Sequence, residues 1–220
     1  LHLDFRRQRQ MCIRDRLSYS NDRIRAIIIW GAITLIFSTV VYFGANEIAS
    51  KSDYFFRLYF EFERDIPMVP WMIYIYQSFA LLIVVTYFSI KSPQKIKAYS
   101  ISFMSSCAIA AVFFILFPTE LGFSRTEKIE GYEFMYNLLH MIDKPHNLAP
   151  SLHITYSALG AYVLSSEIKS KWLKGMIWLW FLLICSSIVL VHQHHLFDIF
   201  SGILLYYFVI HFVFKKMKNK

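Results

Sequence analysis

Two short stretches of the chain carry residue types that are suited to proton transfer and nucleophilic attack. Pro150-Ser151-Leu152-His153 is the first, and His194 followed four residues later by Asp198 is the second. A spacing of four places His194 and Asp198 on one face of a helix, where a carboxylate can orient an imidazole ring. Imidazole is the side chain best suited to exchange protons near neutral pH. We therefore expect His153, His194 and Asp198 to act together.

Each stretch lies at the edge of a hydrophobic segment that is long enough to cross a bilayer. The 220-residue chain is 56% hydrophobic and only 17% charged, which is too apolar for a soluble domain of this size. Five segments without Asp, Glu, Lys or Arg hold 21 to 25 residues each: 26–46, 66–90, 98–119, 145–166 and 175–197. A spanning helix requires ~20 residues.

The fourth and sixth segments need adjusted boundaries. Pro150 favours an irregular lead-in, so the fourth helix should begin at Ser151. The sixth uncharged segment, 199–214, holds only 16 residues. We therefore expect its helix to begin near Leu196 and to carry Asp198 in its first turn.

Positive charges alternate between the connections of this pattern. The N-terminus through Arg25 and the segments 91–97, 169–174 and 215–220 hold 17 of the 23 Lys and Arg, whereas 46–65 and 120–143 are rich in Asp and Glu. The positive-inside rule then places both termini in the cytoplasm and the acidic loops outside. The sequence predicts an all-α, polytopic membrane helix bundle with six transmembrane helices. Nucleic-acid binding is a poor explanation of the net charge of +8.

The chain is expected to hold one domain. Residues 1–16 have neither the apolar core nor the cleavage site of a signal peptide, and we interpret them as an artefactual or disordered tail. Residues 17–220 should form the six-helix domain. Cys107 and Cys185 fall within predicted spans and Cys12 in the tail, so the sequence predicts no disulfide framework or cysteine metal site.

The topology makes a further prediction that does not depend on any motif. The end of the third span, the start of the fourth, the end of the fifth and the start of the sixth share the outer face. Arg125, His153, His194 and Asp198 occupy those four places. We therefore expect these four side chains to meet in one site at the outer membrane surface.

These residues resemble three motif blocks of the type 2 phosphatidic acid phosphatase superfamily, membrane enzymes with six helices. Pro150, Ser151 and His153 match its Pro-Ser-x-His block. His194 and Asp198 match its third block, and the surrounding HQHHLFDIFSG is similar in cadence. The Arg that ends the first block is matched by Arg125 in FPTELGFSRTE. The resemblance covers roughly residues 65–202.

Three positions depart from the family pattern. Pro118 stands where the first block has a Lys, Thr126 where it has a Pro, and Ile188 where the third block has an Arg. A His-rich third block without that Arg looks more like the inositol phosphorylceramide synthase branch, whose members transfer a phosphorylated head group between lipids. Either His146 or His192 could replace a missing cation.

The resemblance implies a role for each matched residue. His194 would attack phosphorus while Asp198 holds its ring in the tautomer with a free lone pair. His153 would protonate the departing alkoxide. The expected substrate-binding residues are Arg125, His192 and Ser151. The Arg125 guanidinium, the His192 imidazole and the backbone amides near Ser151, at a helix N-terminus, would stabilise negative charge on the phosphoryl oxygens. This scheme requires no metal and no other cofactor.

The same residues also have alternative explanations. A histidine at a membrane edge is often only a polar cap, and Ser151 could be only a helix N-cap. Arg125 could merely pair with Glu120 or Glu127. Three imidazoles could instead bind zinc, those of His192, His194 and His195, although no separate Cys or Glu-rich block completes such a site.

Three functions fit these observations. The leading prediction is a lipid phosphatase that hydrolyses phosphate esters of phospholipids or isoprenoid lipids through a phosphohistidine. A lipid phosphotransferase of the inositol phosphorylceramide synthase type would share its first half-reaction. A non-catalytic membrane protein that retains the fold is the third. We expect an integral multi-pass protein of the plasma (inner) membrane, with the site facing outward and with a phosphorylated lipid and membrane lipids as partners.

Overall fold

The computed structural model describes residues 2–125 and 129–218, and helices dominate this part of the chain. Its α-helices of ten residues or more are α1 (His2–Ala49), α2 (Ile73–Ser89), α3 (Pro93–Leu116), α4 (Glu133–Ile142), α5 (Leu152–Glu167), α6 (Lys171–Leu190) and α7 (Leu196–Val209). Short 3-10 helices cover Glu61–Asp65 and Pro70–Met72, and α7 continues through a π-helical turn, Ile210–Phe214, into Lys215–Lys218. The predicted all-α class is confirmed.

Five helical segments within the described residues are long and apolar enough to cross a membrane: Asn21–Ala49, Pro70–Ser89, Pro93–Leu116, Lys171–Leu190 and Leu196–Lys218. They correspond to the first, second, third, fifth and sixth predicted spans. The fourth, α5, has 16 residues, or about 24 Å at 1.5 Å per residue, which is short of the ~30 Å hydrocarbon core. The count of six spans and the cytoplasmic location of both termini stay predictions.

The first helix lies against α3. Ala45 and Ala49 of α1 share one hydrophobic cluster with Ala110 and Phe114 of α3, and small side chains let two helices in a membrane approach closely. At its other end α1 continues back to His2, through the segment that we interpreted as a tail. The domain boundary at residue 17 stays a prediction.

The short helix α5 lies at the centre of the bundle. It contacts α2, α3, α6 and α7, and 12 of its 16 residues are buried. Gly160 lies so close to α2 that an added Cβ would be 3.3 Å from Thr86 Oγ1, and the Thr86 hydroxyl lies 3.3 Å from the Gly160 carbonyl oxygen. Surrounding helices therefore fix α5 in place, and its N-terminus is presented at one end of the bundle.

The first turns of α5 and α7 are joined at that end. A Cβ on Gly202 of α7 would lie 2.7 Å from the Ser151 carbonyl oxygen, so this close approach requires glycine. The Ser151 amide donates to the Asp198 carbonyl at 3.3 Å, and the Thr155 hydroxyl donates to the Gly202 carbonyl at 2.9 Å. These contacts bring the two motif stretches side by side.

Candidate active site

His153, His194 and Asp198 form a chain of hydrogen bonds where α5 meets α7. Asp198 Oδ2 lies 3.2 Å from His194 Nδ1, and His194 Nε2 lies 3.2 Å from His153 Nδ1. Tyr76 of α2 extends the chain, because its hydroxyl lies 2.8 Å from His153 Nε2. His194 and Asp198 are buried, with 3% and 1% of their surfaces exposed. The structure thus brings together the three residues that the sequence predicted to act as a unit.

The partners fix the direction of each hydrogen bond in this chain. An ionised Asp198 can only accept, so His194 donates from Nδ1 and a neutral His194 keeps the Nε2 lone pair. His153 therefore donates from Nδ1 to His194 Nε2. The remaining nitrogen of a neutral His153 then accepts the Tyr76 hydroxyl proton. His194 Nε2 is the potential nucleophile, and its lone pair points at the His153 ring.

Asp198 lies in the first turn of α7, as predicted, and the helix begins at Leu196. Its Oδ2 also accepts the His195 amide proton at 2.8 Å. An acidic group in the first turn is favoured by the helix dipole and by the free backbone N–H groups there. The same contacts that stabilise the start of α7 therefore hold the carboxylate against His194.

A second buried carboxylate, Glu63, supports the start of α7. Its Oε2 accepts the Leu196 amide proton at 2.8 Å and lies 3.2 Å from His195 Nδ1. His195 Nε2 accepts the Gly122 amide proton at 3.0 Å, so the ring is neutral and its proton is on Nδ1. Burial lowers the pKa of His195, against the opposing effect of Asp198 and Glu63. The residue next to His194 is thereby locked in orientation.

Arg125 is held by the segment that precedes α5. Its Nη1 donates to the Asp143 carbonyl at 2.6 Å, and its Nε is buried without a partner among the described residues. Arg125 and Asp143 both influence Tyr76 electrostatically, and the Tyr76 hydroxyl contacts His153. Burial lowers the pKa of Arg125, and Asp143 opposes that effect.

The sequence left open that Arg125 merely pairs with Glu120 or Glu127. Glu120 pairs with Arg57, with Arg57 Nε 2.8 Å from Glu120 Oε2, so it is engaged elsewhere. Glu127, and Thr126 of the first motif block, lie outside the described residues. Asp143 accepts a hydrogen bond from Tyr42 of α1 through its side chain, which ties Arg125, through the Asp143 backbone, to the first helix.

The predicted substrate-binding residues His192 and Ser151 each have protein partners. His192 adopts a φ of 58° after α6, its Nε2 lies 2.9 Å from the Ile66 carbonyl oxygen, and its ring stacks on Phe123 at 4.0 Å between centroids. Ser151 is the N-cap of α5 and accepts the Ile154 amide proton at 3.5 Å, as serine commonly does. Their roles in substrate binding stay predictions.

The three imidazoles considered for zinc do not converge. Their ring nitrogens face different partners: the Ile66 carbonyl for His192, the Asp198 carboxylate and His153 for His194, and the Glu63 carboxylate for His195. His146, considered as a substitute cation, stacks on Phe55 at 4.0 Å and lies 3.2 Å from the Thr119 carbonyl. These contacts leave His153 and His194 as the two imidazoles that face each other.

Tyr76 and Glu63 were not identified from the sequence. Tyr76 lies within a uniformly apolar span, where no periodicity marks the inward face. The only signal for Glu63 is an acid in an aromatic-rich loop close to two spans, and a carboxylate in such a place must find a buried partner or water. The partners of Glu63 are His195 and the Leu196 amide, which are more than a hundred positions away in the sequence.

The bundle and its paired imidazoles define a membrane protein with a His-His-Asp site suited to phosphoryl transfer. A family model described as PAP2 superfamily matches residues 62–212, which is more than half of the chain and includes Arg125, His153, His194 and Asp198. The protein therefore belongs to the PAP2 superfamily. Among curated proteins, none matches the chain significantly. Membership supports an integral membrane enzyme of the lipid phosphatase or phosphotransferase type, and the synthase-like branch stays a prediction.

Proposed function

We propose that the protein is a membrane-embedded phosphatase that hydrolyses phosphate esters of phospholipids or isoprenoid lipids at the outer face of the plasma membrane. The observation that carries this proposal is the chain from Asp198 through His194 to His153. It leaves one imidazole nitrogen as a nucleophile and places a proton donor directly beside it. Water and a phosphorylated lipid are the proposed reactants.

The first half-reaction begins when the anionic phosphate ester separates His153 Nδ1 from His194 Nε2. The negative charge of the ester favours a second proton on His153, so both ring nitrogens of His153 then carry a proton and Nε2 donates to the Tyr76 hydroxyl. Nε2 then attacks phosphorus, the bond between phosphorus and the lipid oxygen breaks, and His153 gives its Nδ1 proton to the departing alkoxide. Asp198 stabilises the positive charge that develops on His194. General acid catalysis of this kind contributes about 10²–10⁴-fold.

In the second half-reaction, a water molecule attacks the phosphohistidine. His153, now unprotonated at Nδ1, accepts the water proton as the new P–O bond forms and the P–N bond breaks. Inorganic phosphate leaves, and both imidazoles return to their starting protonation states. A polar pocket of about 800 Å³ lined by residues including Gly122, Phe123, Ser124 and His192 supports the access of water from the aqueous side.

Two buried donors are proposed to bind the phosphoryl oxygens. Arg125 Nε and Asn147 Nδ2 have no hydrogen-bond partner among the described residues, and Asn147 is only 5% exposed. A buried donor without an acceptor costs about 1–3 kcal/mol, which a bound anion removes. These donors would compensate for the cations absent at Pro118 and Ile188. His192 and the amides near Ser151 complete the proposed set.

A phosphotransferase remains the second candidate, because a lipid hydroxyl could replace water in the second half-reaction. Purified protein should be incubated with radiolabelled phosphatidic acid and an unlabelled lipid alcohol in mixed micelles. Release of inorganic phosphate supports the proposal, whereas a new labelled lipid would replace it with head-group transfer. Absence of both products would favour the non-catalytic alternative. His194→Ala should abolish the reaction, and His211→Ala, at an exposed histidine on the extension of α7, is the matched control.

A further inference from the structure

An elongated apolar cavity of about 600 Å³ begins at the proposed active site and extends between α1, α2, α3, α4 and α5. His153, Tyr76, Tyr42 and Asp143 line one end. Aliphatic and aromatic side chains line most of the rest. The cavity therefore connects the proposed proton donor to an apolar space inside the bundle.

The length of the cavity follows from the helices that line it. Tyr76 and Phe88 are lining residues twelve positions apart on α2, or ~18 Å at 1.5 Å per residue. Ile27 and Phe43 are lining residues sixteen positions apart on α1, or ~24 Å. An extended hydrocarbon with C–C bonds of ~1.5 Å advances about 1.25 Å per carbon. About fourteen to nineteen carbons therefore match the lined lengths of α2 and α1.

The cavity also opens sideways between α1 and α2. Leu35 of α1 and Val84 and Phe88 of α2 belong to its wall and are nevertheless exposed, by 69%, 49% and 63%. On a helix bundle that crosses a membrane, exposed apolar side chains face lipid tails. A hydrocarbon chain can therefore reach the cavity from the bilayer without passing through water.

We infer that this cavity holds one hydrocarbon chain of the substrate, and that its far end near Gly31 sets the chain length that the site accepts. The inference rests on the proposed function, because the chain is placed by a phosphate ester bound at His153. The bilayer is as apolar as the cavity, so burial in itself gains little. Selection must therefore come from the length and shape of the lined space.

Gly31 provides the test. A Cβ there would meet nothing within 4 Å, so a large side chain can enter the cavity without displacing protein, and replacing a helical glycine does not weaken the helix. Gly31→Trp should lower the ratio of kcat/KM for hexadecyl phosphate to that for octyl phosphate by about tenfold or more, as expected when a bulky group fills apolar space. Gly31→Leu should give a smaller decrease in the same direction.

A second position tests the proposed direction of the chain. Thr39 also lines the cavity, only three residues from Tyr42, so Thr39→Trp should lower kcat/KM for both alkyl phosphates. Gly44→Trp is the matched control, because Gly44 lies on the same helix, has equally open space around its Cα and does not line the cavity. Size-exclusion profiles and Tm values establish that each variant is folded.

The outcomes separate the inference from the function on which it rests. If the wild type hydrolyses neither alkyl phosphate, the proposed function fails and the inference fails with it. If the wild type is active but Gly31→Trp and Gly44→Trp give the same ratio as the wild type, the proposed function stands and the chain-binding cavity is wrong. A lowered ratio in Gly31→Trp alone supports the inference.

Discussion

The two ends of α5 both hold buried polar pairs, but the pairs differ in what they leave available. At the C-terminal end, Lys95 of α3 forms an ion pair with Glu167 and donates to Ser166 at 2.7 Å. The Lys95 and Glu167 side chains are 12% and 11% exposed. At the N-terminal end, His153 faces His194, and the chain continues to Asp198.

The two pairs differ in whether their groups can still exchange protons. The Lys95 ammonium and the Glu167 carboxylate neutralise each other, and a positive charge near a helix C-terminus also interacts favourably with its dipole. The imidazoles each carry one donor and one acceptor, and they can exchange protons near neutral pH. A buried polar pair therefore indicates a functional site here only where a bound substrate can separate the partners. At the N-terminal end of α5 that separation would free the lone pair of His194 Nε2 for attack.

The largest expected effect comes from Asp198→Asn, which breaks the chain at its charged end. The amide removes the charge that favours a developing positive His194 and can donate to Nδ1, which would favour the wrong tautomer. The same substitution in Ser-His-Asp triads lowers kcat about 10⁴-fold, and we expect a loss of similar size. Steady-state hydrolysis of phosphatidic acid by the folded variant measures it, and a kcat within tenfold of wild type would contradict the role of Asp198.

His153→Asn should affect substrates unequally. A lipid alkoxide needs a proton to leave, whereas nitrophenolate leaves readily without one. We expect kcat to fall about 10²–10⁴-fold for a lipid phosphate, and much less for p-nitrophenyl phosphate. The ratio of the two rates is the measurement. Equal losses on both substrates would show that His153 is not the general acid.

At the other end of α5, Lys95→Met should lower stability and leave kcat unchanged. Removing one partner of a buried ion pair costs about 3–5 kcal/mol, and the slight exposure of this pair places the expected loss at the lower end. The double variant Lys95→Met/Glu167→Met should recover much of that loss. Thermal unfolding in detergent measures the stability, and a large fall in kcat of the folded single variant would remove the contrast between the two ends.

The smallest expected effect is a pH dependence of stability through His195. Burial lowers its pKa below the unfolded value, which is about 6.5, so below that pH the unfolded chain binds more protons than the folded one. Stability is then fully present above about pH 6.5 and falls as the pH decreases. Tm measured at pH 7.5 and 5.5 should show this decrease, and His195→Gln should make it smaller. An unchanged pH response in His195→Gln would contradict the assignment.

Much of this site could be predicted from the sequence because its determinants are local. The charge-free segments fixed most helix positions, and the four-residue spacing placed His194 and Asp198 on one face. The alternating charges predicted that the helix ends that carry the motif residues lie on the same side of the membrane. The contact between His153 and His194 agrees with that prediction. The start of α7 at Leu196 also followed from local charge.

The remaining features depend on packing over long distances. The inward face of α2 cannot be read from a uniformly apolar segment, so Tyr76 was missed. Glu63 and His195 are 132 positions apart, and no local pattern pairs them. The short α5 is tolerated because its neighbours bury it on most sides, which composition does not reveal.

The central claim is that His194 Nε2 becomes covalently phosphorylated. Purified protein should be mixed with radiolabelled phosphatidic acid, quenched in base, where phosphohistidine is stable, and digested for mass spectrometry. The account predicts one phosphoryl group on the peptide that contains His194, absent in His194→Ala and retained in His211→Ala. Turnover without any phosphorylated histidine, or a label on a different residue, would contradict it.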